Sequence, residues 1–278
     1  MNTLRNKTVF ISGATRGIGR EIALRCARDG ANLVITGKSD LPHPKLPGTI
    51  HSVAEEVIAA GGQALAIQLD VRDDAAISAA VTQAAAHFGG IDILINNASA
   101  ISLTPTLATS AKRLDLMWDV NMRATFLCSQ ACIPHLKQAR NPHILTLSPP
   151  LNLEADWFAP HLAYSLSKFG MSLCTLGMAR EFASDGIAVN SLWPRTTIAT
   201  AAIEYNFPEE ILRASRHPAI VADAAYLILT GDSRQRSGQF LIDEDVLREH
   251  GITDFDRYAV TPGVALMNDL FLKAKNEH

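Results

Sequence analysis

Cysteine is scarce in this sequence. The four present, Cys26, Cys128, Cys132 and Cys174, contain no C-x-x-C pair, so neither a zinc knuckle nor a redox dithiol is indicated, and buried thiols in a reducing cytoplasm are expected. Net charge is also small, with 25 Lys and Arg against 28 Asp and Glu. That balance leaves no basic stripe to neutralise a nucleic-acid backbone or an anionic membrane, and small molecules are the expected partners. Long apolar runs are missing as well. No stretch approaches the length of a membrane span, and residues 1–7 lack the basic-then-apolar pattern of an export signal, so a cytoplasmic protein is expected.

What the chain does have is 47% hydrophobic residues in a length of 278, enough for one large core. Short apolar or β-branched runs recur at 8–11, 32–36, 64–69, 91–95, 143–147, 187–192 and 239–242, and read as seven strands. Helix-period stretches lie between them, including 17–28, 75–88, 112–138 and 162–182, and several end near Gly30, Gly89 or Gly186. Strand and helix in strict turn predict an α/β fold: a doubly wound parallel sheet of seven strands, in three layers, as a single domain. Residues 1–253 form that domain in this reading. Residues 254–278 read as an extension of it, a short helical or partner-binding tail. In such a sheet, ligands gather beyond the carboxyl ends of the strands.

Directly after the first strand stands Ser12-Gly13-Ala14-Thr15-Arg16-Gly17-Ile18-Gly19, which runs into a helix. Glycines permit a tight turn and close backbone approach, and a helix start offers free N–H groups to a diphosphate, which together predict a dinucleotide site. A site for NAD normally carries an acid at the end of the second strand to hold the ribose diol. Here that end is Thr36-Gly37-Lys38, with cations at Lys38 and Arg16 and no carboxylate, so NADP(H) is expected, its 2′-phosphate being held as an anion. Asp70 and Val71 follow the third strand, where the adenine would lie. Asn96-Asn97-Ala98 follows the fourth and could line the cofactor or cap a turn.

Tyr164 and Lys168 are spaced to share one helical face. A phenol is a poor base at neutral pH, and an ammonium beside it, with a positive nicotinamide, would bring its pKa down towards the working range. Tyr164 would then relay the hydroxyl proton as hydride moves. Asn121 interrupts a helix-favouring run, and either a functional or a buried structural role fits such a position.

The glycine turn, Asn96-Asn97-Ala98, Asn121 and the Tyr164 and Lys168 pair together resemble the short-chain dehydrogenase/reductase family, whose fold is of Rossmann type. Further segments resemble the hydroxysteroid dehydrogenase-like protein 2 group and bacterial citronellol-type dehydrogenases. These are 45–50, Asn97 to Ile101, 112–117, Ser148-Pro149-Pro150-Leu151 and Leu192-Trp193-Pro194-Arg195-Thr196. The resemblance implies that Gly13, Thr15, Arg16, Gly17, Ile18, Gly19, Lys38, Asp70, Val71, Asn97, Lys168 and Pro194 hold NADP(H). It also implies that Tyr164 exchanges the proton, that Asn121 holds a water linking Lys168 to solvent, and that a homodimer or homotetramer forms through the helices bearing Asn121 and Tyr164.

Two departures stand out. Pro194-Arg195 replaces the usual Pro-Gly, and the sterol-carrier domain of several animal relatives has no counterpart before His278. The family also places a substrate-orienting serine after the fifth strand. Ser148 is the nearest hydroxyl, with Pro149 one residue on and Asn152 in reserve.

Segments 149–158 and 193–207 contribute Leu151, Leu153, Trp157, Phe158, Trp193, Ile198, Tyr205 and Phe207 around the expected pocket. Such a lining suits a lipophilic alcohol, or the matching aldehyde or ketone, of isoprenoid, steroid or fatty type. No metal site is expected. The alternative of a different class is a non-catalytic NADP(H) sensor or scaffold on the same fold.

Overall fold

All seven of the apolar and β-branched runs form strands. In the computed structural model, which describes residues 3–44 and 46–273, these are β1 (Thr8–Ile11), β2 (Asn32–Gly37), β3 (Gln63–Gln68), β4 (Ile93–Asn96), β5 (His143–Thr146), β6 (Ala188–Trp193) and β7 (Phe240–Ile242). They pair in parallel in the order β3-β2-β1-β4-β5-β6-β7. β1, β2, β4, β5 and β6 are buried along their whole length, because helices cover both faces, whereas the edge strand β3 is partly exposed. The order reverses between β1 and β4. The loops that leave these two strands diverge, and a crevice opens at the carboxyl edge of the sheet.

The helices are α1 (Gly17–Ala27), α2 (Ile50–Ala59), α3 (Asp74–Phe88), α4 (Ala111–Met117), α5 (Ala124–Leu136), α6 (Leu162–Glu181), α7 (Ala201–Asn206), α8 (Glu209–Arg213), α9 (Ala219–Leu229) and α10 (Asp243–Glu249). α3 shows how local chemistry sets the ends: the Asp73 side chain accepts from the Ala76 N–H, and Gly89 closes the helix at φ 84°. One apolar core holds side chains of α1, α2, α9 and α10 against the sheet, and a second holds those of α3, α5 and α6 against the other face.

Two segments differ from the expectations. The stretch read as one helix over 112–138 is two α-helices joined by a π turn, Trp118–Arg123. Asn121 sits in that turn, fully buried, and its side chain bonds outward. Side-chain competition for polar partners explains the break in the helical ladder.

The tail is not helical either. After one 3-10 turn at Asp256–Tyr258 it runs back as an irregular strap. Pro262 and Gly263 disfavour a helix there, and the strap bonds to other segments: Thr197 N–H donates to Met267 O, Met267 N–H to Ala214 O and Asp269 N–H to Arg195 O. Phe271 in this strap is 1% exposed at φ 71°. Residues 274–278 of the expected tail lie outside the described residues.

Candidate active site

The crevice between β1 and β4 opens into a cleft of about 810 Å³, lined by the glycine turn, by Lys38 and Ser39 after β2, and by Asp70 and Val71 after β3. Gly13 stands at φ 68°, and a Cβ there would lie 2.9 Å from the Ala98 Cα, so only glycine fits. Asn97 fastens the turn from the opposite strand: its Nδ2 donates to the carbonyls of Ser12 and Gly13 at 3.1 and 2.8 Å. α1 begins at Arg16 without a side-chain cap. Its first N–H groups are therefore left to a ligand, and an uncapped helix start facing a large cleft fits the diphosphate of a dinucleotide.

The adenosine end is built from charges. Arg16 donates to Ser39 Oγ and to the Pro47 carbonyl, and burial lowers its pKa. Lys38 Nζ lies 3.2 Å from Asp70 Oδ2 and is 63% exposed. Asp70 is also gripped by Arg72, whose hydrogen bonds hold the carboxyl well below the usual range. Arg72 lines the cleft and was missed in the sequence, although its place two residues after Asp70 was a usable signal. Gly37 has a steric reason: a Cβ would meet Thr15 Cγ2 at 2.7 Å. No acidic side chain fits at that position without moving Thr15.

A second, apolar cavity of about 220 Å³ joins the first, and Ile18, Asn97, Ser99, Thr200 and Ala202 line both. Tyr164, Lys168 and Pro194 line the apolar one. Lys168 Nζ donates to Leu147 O at 2.6 Å and sits 5.0 Å from the Trp193 ring centre. Burial pushes Lys168 down to about 7 and raises Tyr164 above the usual phenol range. The expected depression of the Tyr164 pKa is thus not a property of the protein groups alone. Here burial favours the neutral phenol.

Asn121 does not touch Lys168. Its Oδ1 accepts from Ala100 N–H, and its Nδ2 donates to Ala100 O and to Ser167 Oγ, which ties the loop after β4 to α6 beside the Lys168 position.

Ser148 is not brought to the cavity. It is 1% exposed, and its Oγ lies 2.8 Å from Ser191 Oγ, which itself donates to Thr175 Oγ1. A hydroxyl has one proton, so Ser148 must donate to Ser191, and none remains for a substrate. The role expected of it has no support in this geometry. Asn152 is not a lining residue either; its Oδ1 accepts from Glu154 N–H.

Of the apolar residues expected around the pocket, Trp193, Ile198 and Phe207 line the cavity, while Tyr205 lines the dinucleotide cleft. Leu153 is exposed. Leu151, Trp157 and Phe158 pack in an aromatic cluster around Phe271. That ring stands 6.3 Å from Tyr164, stacked upon it, and 5.1 Å from Phe169. The strap also supplies Met267, Asn268, Asp269 and Leu270 to the cavity wall, none of which the sequence singled out.

Arg195, in place of the usual glycine, anchors this arrangement. Its N–H donates to Asp243, its guanidinium pairs with Asp245 and its carbonyl receives the strap. Among the described residues no cluster of metal-ligating side chains occurs, and no helix is long and apolar enough to cross a membrane.

A parallel doubly wound sheet with a glycine turn at the switch point and a tyrosine–lysine pair beyond it defines an oxidoreductase that uses a nicotinamide dinucleotide. The chain belongs to the short chain dehydrogenase family, whose model matches residues 7–210. It is 56% identical over 270 residues, 97% of its length, to hydroxysteroid dehydrogenase-like protein 2 of Danio rerio, and 56% identical over 265 residues to that of Homo sapiens. The chain spans 65% and 63% of those two relatives' lengths. Among solved structures, a short chain dehydrogenase of Mycobacterium thermoresistibile is 50% identical with a TM-score of 0.93, covering 99% of this chain and 98% of that one. A Xanthomonas campestris protein described as a dehydrogenase reaches 56% and 0.95, over 98% and 100%.

Proposed function

We propose that this protein interconverts a lipophilic alcohol and its aldehyde or ketone, using NADP(H). The observation that carries the reading is the position of Tyr164 and Lys168, which line an apolar cavity continuous with the dinucleotide cleft. A lipophilic group packs against Trp193, Ile198, Phe207 and Leu270, and its oxygen meets the Tyr164 hydroxyl. When bound, the dinucleotide supplies or accepts the hydride. Tyr164 gives the substrate oxygen a proton in the reducing direction and takes it back in the oxidising one. Lys168, fixed by the Leu147 carbonyl, holds a positive charge or a donor proton near that exchange and would bind the cofactor ribose.

Support for NADP(H) over NAD(H) comes from Arg16, Lys38 and Arg72 around the adenosine end and from the absence of an acid at Gly37. The names of the relatives, hydroxysteroid dehydrogenase-like, agree with a lipophilic substrate. A panel of isoprenoid, steroid and fatty alcohols and carbonyls, followed by NADPH absorbance, tests the reading. Tyr164→Phe is expected to remove turnover and to keep NADPH binding, because only the transferable proton is lost. Turnover near wild type in that variant would refute the assignment.

A further inference from the structure

With Ser148 bonded to Ser191 and followed by Pro149, neither of these two residues offers a proton to the substrate oxygen. The apolar cavity nevertheless contains one carboxyl among its described lining residues, Asp269, on the strap opposite the β5 edge. Its main chain is fixed at both ends: Asp269 N–H donates to Arg195 O, and the next residue's N–H donates to Asp269 Oδ1 at 2.7 Å. Trp193 Nε1 holds the Leu270 carbonyl at 3.0 Å, so the carboxyl is presented by a rigid segment. Oδ2 has no hydrogen-bond partner among the described residues, and no ion pair there joins Asp269 to Lys168. Asp269 is partly buried and lines the cavity.

We propose that Asp269 is the substrate-orienting residue of this enzyme, hydrogen-bonding the reacting oxygen of the lipophilic alcohol or carbonyl across from Tyr164. The proposal rests on the alcohol–carbonyl reading above. A carboxyl can do what a serine hydroxyl does in either direction. Protonated, it donates to a carbonyl oxygen; ionised, it accepts from an alcohol. Burial moves Asp269 up to about 7, with Asp243 pushing the same way and Lys168 opposing, so both forms exist near neutrality. Its field in turn acts on both Tyr164 and Lys168. A largely apolar cavity needs a few polar contacts to fix orientation, and Asp269 supplies one as the single carboxyl among its described lining residues. The residue lies beyond position 210, where the family match stops, so no family motif covers it.

The test uses octanal reduction by NADPH and the binding of octanol to protein saturated with NADP, read by tryptophan fluorescence. Asp269→Leu is expected to lower kcat/KM for octanal about 10²-fold, as for loss of one preorganised donor, and to weaken octanol about tenfold. NADPH affinity should not change. Asp269→Asn keeps an acceptor for the Leu270 N–H and an amide donor for a carbonyl, and should retain turnover within about tenfold of wild type.

Wild-type octanol affinity in Asp269→Leu, or equal damage in both variants, would overturn the proposal, as would failure of the wild-type protein to bind octanol. The two readings separate through Tyr164→Phe. If that variant is inactive while Asp269→Leu is unimpaired, the Asp269 proposal alone fails. If it turns over octanal normally, the proton role of Tyr164 fails and the octanol titration still decides Asp269; if the wild-type protein reduces no alcohol-forming carbonyl of the panel, the alcohol–carbonyl reading itself fails.

Discussion

Lys38 was legible from the sequence as a cation without a competing acid nearby, but its partner was not. Asp70 was expected against the adenine. In the structure it lines the cleft and pairs with both Lys38 and Arg72, so the proposed anion site is a cluster whose members already share a carboxylate. Exposed pairs of this kind contribute little stability, and both cations can turn to a phosphate at small cost. Lys38→Ala is expected to weaken NADPH by about tenfold, equivalent to about 1.4 kcal/mol, and to leave NADH affinity unchanged, as measured by nucleotide fluorescence. Equal losses for both nucleotides would mean that Lys38 does not read the 2′-phosphate.

Buried ionisable residues set a second expectation. Asp243 is fully buried, its Oδ2 has no partner among the described residues, and burial raises its carboxyl from 3.8 to about 7. Between those values the folded chain binds more protons than the unfolded one, so this residue makes stability fall as pH rises through that window. Lys168 works in the opposite sense, since between about 7 and 10.5 the unfolded chain binds the extra proton and stability rises with pH. Asp243→Asn should flatten the falling limb in urea midpoints measured from pH 4 to about 7. An unchanged slope would show that Asp243 titrates alike in both states.

Elements with a strong period were readable, and those without one were not. The seven strands follow from β-branched and apolar composition, and α1 and α3 from glycine or aspartate at their ends. The π turn escaped because Asn121 alters the ladder by one residue without altering the apolar pattern of the run. Ser148 was misassigned for a similar reason. Its place in the chain is right for an orienting hydroxyl, but just past β5, where its N–H turns back to the Thr146 carbonyl, its side chain bonds to Ser191, and Leu147 contributes to the cavity in its stead. The strap escaped entirely, because its order comes from bonds to Arg195, Thr197 and Ala214, distant in sequence, and from a single aromatic plug. Phe271→Ala should therefore cost about 3 to 5 kcal/mol in urea unfolding and raise KM for octanal while sparing NADPH affinity. A loss below about 1 kcal/mol would mean that the aromatic cluster closes up around the gap.

At the scale of the molecule, α4, α5 and α6 carry an apolar surface that the monomer leaves uncovered. Trp118, Phe126, Leu166, Leu173 and Leu176 are each more than 40% exposed, on or beside helices whose other faces pack on the sheet. Scattered exposed leucines are ordinary, but this many on neighbouring helices exceeds what a soluble monomer usually presents. A symmetric dimer or tetramer through these helices is the expected outcome, and light scattering at micromolar concentration measures it. Leu173→Glu with Leu176→Glu should shift the mass towards the monomer and preserve the far-UV spectrum. A monomeric wild-type mass would refute the interface.

The strap also has a consequence for synthesis. The glycine turn and the Tyr164 and Lys168 pair are encoded before residue 200 and the cleft by residue 205, whereas one wall of the apolar cavity comes from residues 267–271. A growing chain emerging from the ribosome thus acquires its nucleotide half first, and for the interval before the strap arrives Tyr164 and Trp193 face water without Phe271 upon them. The cavity proposed to receive the substrate is closed only once the strap has emerged.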